Sequence, residues 1–197
     1  MLIACWSTKG GAGTTVVTAA LGLVLARRHP AGALLVDLAG DLPAALGLPP
    51  DPTIPPGPPE ELPVGGLPLA LRPVGASPPD LDELRAERRV VVADCGRIDL
   101  VGPPVADLVA AADRSLLVLR PCYLALRRAV ACAVRPSGVV LVAEAGRAIT
   151  ADDVADSLGV PVVAEVVVTD AVARAVDAGL LASRLPRSLL RDLRTVA

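Results

Sequence analysis

From residue 2 to residue 178, short apolar runs alternate with helix-length segments almost without exception, and no other feature restricts the fold as strongly. Runs 2–7, 34–37, 90–93, 115–119, 139–143 and 160–168 have strand length. Segments 14–28, 42–48, 80–88, 103–112, 124–134, 151–158 and 171–178 read as helices, the first apolar nearly all round. Continuous apolar strands joined by helices predict one doubly wound, mostly parallel α/β sheet with helices on both faces, spanning 1–197 as a single domain. Run 67–74 reads as an edge strand, because Pro68 and Pro73 would break the ladder of an inner one. Positions 49–63 contain eight prolines in fifteen residues, which predicts an extended surface loop or a partner-binding segment within that domain.

In such sheets ligands bind at the carboxyl ends of the strands, so the chemistry is sought there. The first strand–helix junction is Ser7-Thr8-Lys9-Gly10-Gly11-Ala12-Gly13-Thr14-Thr15. Glycines let the backbone approach an anion with its N–H groups turned inward, and the following helix adds the positive end of its dipole. Lys9 is the single Lys among 19 Lys plus Arg, which marks a position where a compact ammonium is required. Asp37 and Asp94 end two later apolar runs, and an Asp in that place behind a phosphate loop helps to hold Mg²⁺. The general pattern G-x-x-x-x-G-K-[ST] is not met: aligned on Gly13, its Lys is Thr14, and Thr15 alone keeps the hydroxyl expected on Mg²⁺. The dinucleotide pattern G-x-G-x-x-G fails at Val16.

Composition narrows the function classes. The chain is 53% apolar with no Phe, one Trp and one Tyr, which leaves little aromatic surface for stacking bases. A net charge of -2 argues against a globally basic nucleic-acid protein, and no sequence-specific nucleic-acid partner is expected. Cys5, Cys95, Cys122 and Cys132 lack C-x-x-C spacing and read as free thiols of a reducing cytoplasm. The N-terminus reads as a first strand rather than a signal peptide, and the longest apolar run, 16–26, falls short of the roughly 20 residues that span a bilayer. The single histidine, His29, sits in a helix-ending turn and reads as a solvated surface residue. Segment 187–196 spaces Leu189, Leu190, Leu193 and Val196 against Arg187, Arg191 and Arg194. It reads as a helix packed on its own domain, with contact to an anionic membrane surface or a partner as the alternative.

Lys9-Gly10-Gly11-Ala12-Gly13-Thr14-Thr15 resembles the deviant Walker A loop of the ParA/MinD superfamily. The resemblance implies that ATP and Mg²⁺ bind at Gly10, Gly11, Gly13, Thr14 and Thr15. It also implies that Lys9 reaches across a homodimer to the partner's phosphates, that Asp37 is the acid closing the second strand, and that Asp94 is the Walker B acid on the metal. The chain is more similar still to the TadZ/CpaE branch, some members of which lack the P-loop Lys, as Thr14 does here; this implies pilus or secretion machinery as partner. Two departures imply weak or absent ATPase activity: Thr14 removes a phosphate cation, and Ala39 stands where a second acid orients the attacking water. Asp41, two positions on, is the nearest substitute. The adenine-reading Asn of the superfamily is Glu144 here or absent. An active ATPase positioning DNA or the division site, and a nucleotide-free scaffold, are the two alternative functions.

Overall fold

The computed structural model describes residues 1–48, 58–73 and 79–197. Its strands are β1 (Leu2–Ser7), β2 (Ala33–Asp37), β3 (Glu60–Glu61), β4 (Leu69–Arg72), β5 (Val90–Arg97), β6 (Arg114–Leu119), β7 (Gly138–Ala143) and β8 (Val162–Val167). Helices α1 (Thr14–Arg28), α2 (Leu42–Leu46), α3 (Leu81–Ala86), α4 (Pro103–Ala111), α5 (Tyr123–Ala131), α6 (Ala151–Leu158), α7 (Asp170–Asp177) and α8 (Arg187–Asp192) connect and follow them. All eight strands form one sheet in the order β3-β4-β2-β5-β1-β6-β7-β8. Every pairing is parallel except β3 with β4, so the expected doubly wound α/β fold is the one found.

The pleat divides the core into two layers. Ile3 and Cys5 of β1 and Val90 and Val92 of β5 pack on the face that carries α1. Leu2, Ala4 and Trp6, with Val91, Ala93 and Cys95, pack on the opposite face with α4 and α5. Because both faces are covered, the central strands are apolar without alternation up to their carboxyl ends, where Ser7, Asp94 and Arg97 stand. Helix α1 lies against the sheet and is buried along Val17–Ala26, as its near-uniform apolarity requires.

Several expectations are corrected. Strand β4 is not the edge: Glu60 and Glu61, inside the proline-rich segment, pair antiparallel with Leu71 and Ala70 and form the edge themselves. Pro68 and Pro73 lie just outside β4, so its amides remain free for the ladder. Residues 49–57 of the proline-rich segment lie outside the described residues. Helix α2 stops at Leu46, two residues early, because Gly47 turns left-handed with φ 73. Thr150 and Asp153 form a full capping box on α6, more than the simple N-cap expected.

The 187–196 segment packs on its own domain. Leu189, Leu193 and Val196 are fully buried in the α1 layer, and Thr195 Oγ1 donates to the Val163 carbonyl at 2.8 Å. Arg28 Nη1 donates to the Arg194 carbonyl at 2.9 Å, and Arg114 Nη1 to that of Val196. The membrane-facing alternative for 187–196 is thereby left without its apolar face. Among the described residues, no helix is long and apolar enough to cross a membrane. All four cysteines are free, and burial pushes the Cys5 thiol up to about 12.

Candidate functional site

The loop between β1 and α1 is shaped by two glycines, Gly11 (φ 73) and Gly13 (φ 90), in a region that other residues enter at a cost. Gly13 is the N-cap of α1, its carbonyl accepts the Val17 amide at 2.9 Å, and no side chain caps the helix. The first turn of a 15-residue helix therefore presents its amides without a side-chain partner, which is the arrangement that receives an anion. Thr8 Oγ1 donates to the Ala125 carbonyl at 3.2 Å and ties the loop to α5. Thr18 Oγ1 donates to the Thr14 carbonyl at 2.9 Å, so the hydroxyl bond one turn into α1 fixes the loop's far end.

A cleft of about 500 Å³ opens along Gly10–Val16 and is closed on its far side by Ala39, Asp41, Gly96 and Arg97. Asp37 and Asp94 are buried register partners of β2 and β5, each beside residues that line it, Leu38 and Cys95. Asp37 Oδ1 accepts the amides of Ala39 (3.1 Å) and Gly40 (2.7 Å), while Oδ2 accepts that of Leu42 (3.2 Å). Burial raises its pKa against the pull of those three amides. Both oxygens of Asp37 are thus committed to the β2–α2 loop. Asp94 is fully buried, and only its Oδ1 is bonded, to the Gly96 amide at 3.1 Å. Its Oδ2 has no hydrogen-bond partner among the described residues. Burial pushes the Asp94 carboxyl up to about 6; the Thr15 hydroxyl and the Gly96 amide pull it down, and Asp37 and Asp41 add to the rise. Thr15 acts from close by without completing a bond to Oδ2. A fully buried carboxylate oxygen without a partner, beside a hydroxyl, is a donor set that suits a small hard cation.

Lys9 lies on the other side of the loop. It lines a recess of about 210 Å³ with Arg120, Cys122 and Arg147, away from Asp94 and Thr15. Its ammonium makes no ion pair among the described residues. A third recess, of about 220 Å³, runs from Gly13 and Val16 past Val142, Val168 and Val172, with Arg120 at its rim. Glu144, the candidate base-reading position, is held by Arg120 Nη1 at 2.8 Å and by Arg147, so its carboxylate is already engaged.

The structure therefore brings Gly10, Gly11, Gly13, Thr14, Thr15, Asp37 and Asp94 to one end of the sheet, with Lys9 lining the neighbouring recess and absent from the lining of the cleft. Two cations escaped the sequence reading. Arg97 lies three residues beyond Asp94 on a strand that runs longer than its apolar part, and Arg120 directly follows β6. For Arg97 the spacing from the strand-end acid was the available signal.

No family model matches the chain, and no curated protein sequence matches it. Solved structures do. MinD cell division protein of Aquifex aeolicus is 19% identical, with a TM-score of 0.75 over 99% of this chain and 96% of that one. The septum site-determining protein MinD of Pyrococcus horikoshii, complexed with Mg-ADP, is 18% identical at TM-score 0.73, covering 99% and 96%. A ParA family ATPase of Chlorobium tepidum is 18% identical at TM-score 0.69, covering 96% of each. Across its whole length the chain has the fold of these MinD and ParA-family proteins.

Proposed function

We propose that this chain is a nucleotide-dependent, dimer-forming positioning factor in the cytoplasm that serves the assembly of a pilus or secretion apparatus, and that it turns ATP over slowly or not at all. The observation that carries the nucleotide reading is the cleft at the start of α1. The uncapped first turn of α1 lines that cleft, and Asp94 Oδ2, without a hydrogen-bond partner among the described residues, lies near Thr15. The P. horikoshii MinD neighbour, solved with Mg-ADP, supports the same ligand class.

In this reading Gly10, Gly11, Gly13, Thr14 and Thr15 cradle the phosphates with backbone N–H groups. Thr15 and Asp94 hold Mg²⁺, which shields phosphate charge when bound. Asp37 orders the β2–α2 loop that walls the cleft. Lys9, absent from the lining of its own cleft, is available to a second subunit. Slow turnover is supported by Ala39, which lines the cleft with a methyl group at the position where the resemblance expects a water-orienting acid. The pilus or secretion partner rests on the TadZ/CpaE resemblance of the loop.

Titration of the purified chain with ATP and Mg²⁺, with mass followed by light scattering, tests the reading. The expected result is binding, an ATP-dependent dimer lost in Lys9→Ala, and phosphate release near background. Absence of binding, together with a mass indifferent to ATP and to Lys9→Ala, would sink it.

A further inference from the structure

A nucleoside triphosphate would bring its charge into a cleft lined by Asp41, with Asp94 and Asp37 buried nearby and Thr14 where the general loop pattern has Lys. Helix amides and a metal offset part of that charge. Among the described residues lining the cleft there is one cationic side chain, Arg97. Lys9, Arg120 and Arg147 line the recess on the other side of the loop.

Arg97 is placed by the backbone and aimed by its neighbours. It ends β5, stands in register with Ser7 of β1, and follows the bulge at which the β1–β5 register shifts. Ile98 N donates to the Ser7 carbonyl at 2.9 Å, and Ser7 Oγ to the Gly96 carbonyl at 3.3 Å, so this stretch is tied to the start of the loop. The side chain then lies along the loop: a Cβ built on Gly10 would sit 3.6 Å from Arg97 Cδ and 3.9 Å from Nη1. Arg97 Nε and Nη2 donate to the two oxygens of Asp99 at 2.8 and 2.6 Å. That fork fixes the guanidinium plane and leaves Nη1 without a hydrogen-bond partner among the described residues. An exposed pair of this kind contributes little to stability, so its consequence is orientation.

We propose that Arg97 binds the phosphate chain of a nucleoside triphosphate in its own subunit and supplies the cation that Thr14 does not. The inference rests on the nucleotide-binding reading above and adds a residue to it. Asp99 acts as a positioning residue that presents Nη1 to the loop, and the planar fork suits a phosphate where an ammonium from position 14 is missing.

The test is calorimetric titration of the full chain and its variants with ATP and Mg²⁺, alongside thermal unfolding without nucleotide. Arg97→Ala is expected to weaken ATP binding about tenfold, the scale of a charge-assisted hydrogen bond, with an unchanged unfolding midpoint. Thr14→Lys in the Arg97→Ala background is expected to restore most of the affinity, because it returns a cation to the same phosphates. ATP binding by Arg97→Ala within twofold of the unaltered chain overturns this inference alone. Failure of the unaltered chain to bind ATP overturns it together with the reading beneath it.

Discussion

Asp37 and Asp94 stand directly opposite each other in the register of β2 and β5, yet the sheet leaves them with different work. Asp37 has both oxygens bonded to backbone amides of the loop that follows it. Asp94 has one bonded and one bare. The difference arises after the strands: β2 turns at once into a loop whose amides curl back over Asp37, whereas β5 runs on to Arg97 and offers Asp94 only the Gly96 amide. One acid spends both oxygens on its own loop, and the other keeps one oxygen without a partner among the described residues.

Asp94 should therefore make the fold weaker as pH rises. Its folded-state pKa of about 6 lies above the ordinary Asp value near 4, so the folded chain holds the proton more tightly than the unfolded one. Stability from this group is full below about pH 4 and is lost as pH climbs through about 6. In Asp94→Asn that loss disappears. The stability of the variant relative to the unaltered chain is expected to improve by about 1 to 3 kcal/mol between pH 4 and pH 7.5, measured by urea unfolding at each pH. A difference that stays flat across the range contradicts the assignment.

Asp37→Ala removes acceptors from three amides at once. Leaving buried donors unsatisfied costs about 1 to 3 kcal/mol each before relaxation, and water can reach part of this loop, so a loss of about 2 to 4 kcal/mol is expected in total. Urea unfolding at neutral pH measures it. A loss below about 1 kcal/mol would mean that the loop holds its shape without the carboxylate.

The alternation of apolar runs with helical segments made the α/β class legible, since a strand buried on both faces has no other way to be written. The loop was legible because glycine spacing and the lone Lys9 have few other uses. What stayed hidden depends on contacts distant in sequence. Nothing local says that Glu60 and Glu61 pair with β4, as two charged residues among prolines carry no strand pattern. Nothing local says that Lys9 lines the neighbouring recess or that Arg97 lines the cleft. The 187–196 pattern of leucines and arginines favours packing on the domain over a membrane surface without saying where; the burial of Leu189, Leu193 and Val196 in the α1 layer supplies the place.

Gly13→Ala tests how far the cradle depends on its backbone. The Cβ itself has room, with Val142 Cγ2 the nearest atom at 3.8 Å, so the cost comes from φ 90 rather than from a clash. A non-glycine residue held there costs about 1 to 3 kcal/mol. The variant is expected to relax toward negative φ, losing stability on that scale and weakening ATP binding by more than tenfold. Thermal unfolding and nucleotide titration on one preparation separate the two effects. Unchanged binding with reduced stability would place the phosphates elsewhere.

Leu193→Ala separates the two uses open to the C-terminal helix. If Leu193 is a core residue, as its complete burial beside α1 indicates, truncation removes a large aliphatic side chain from a packed layer and leaves a cavity. Such changes cost about 2 to 5 kcal/mol. Binding to vesicles of anionic lipid, which draws on exposed apolar area and basic side chains, should be as weak in the variant as in the unaltered chain. A membrane-docking helix predicts the reverse: stability in solution barely altered and vesicle binding reduced, since the leucine would then leave water only on the membrane. Arg191→Ala gives an independent reading, because Arg191 is exposed and, among the described residues, pairs only with its neighbour Asp192. Its loss is expected to leave stability within about 0.5 kcal/mol, so any fall in vesicle binding by that variant reports on the surface alone.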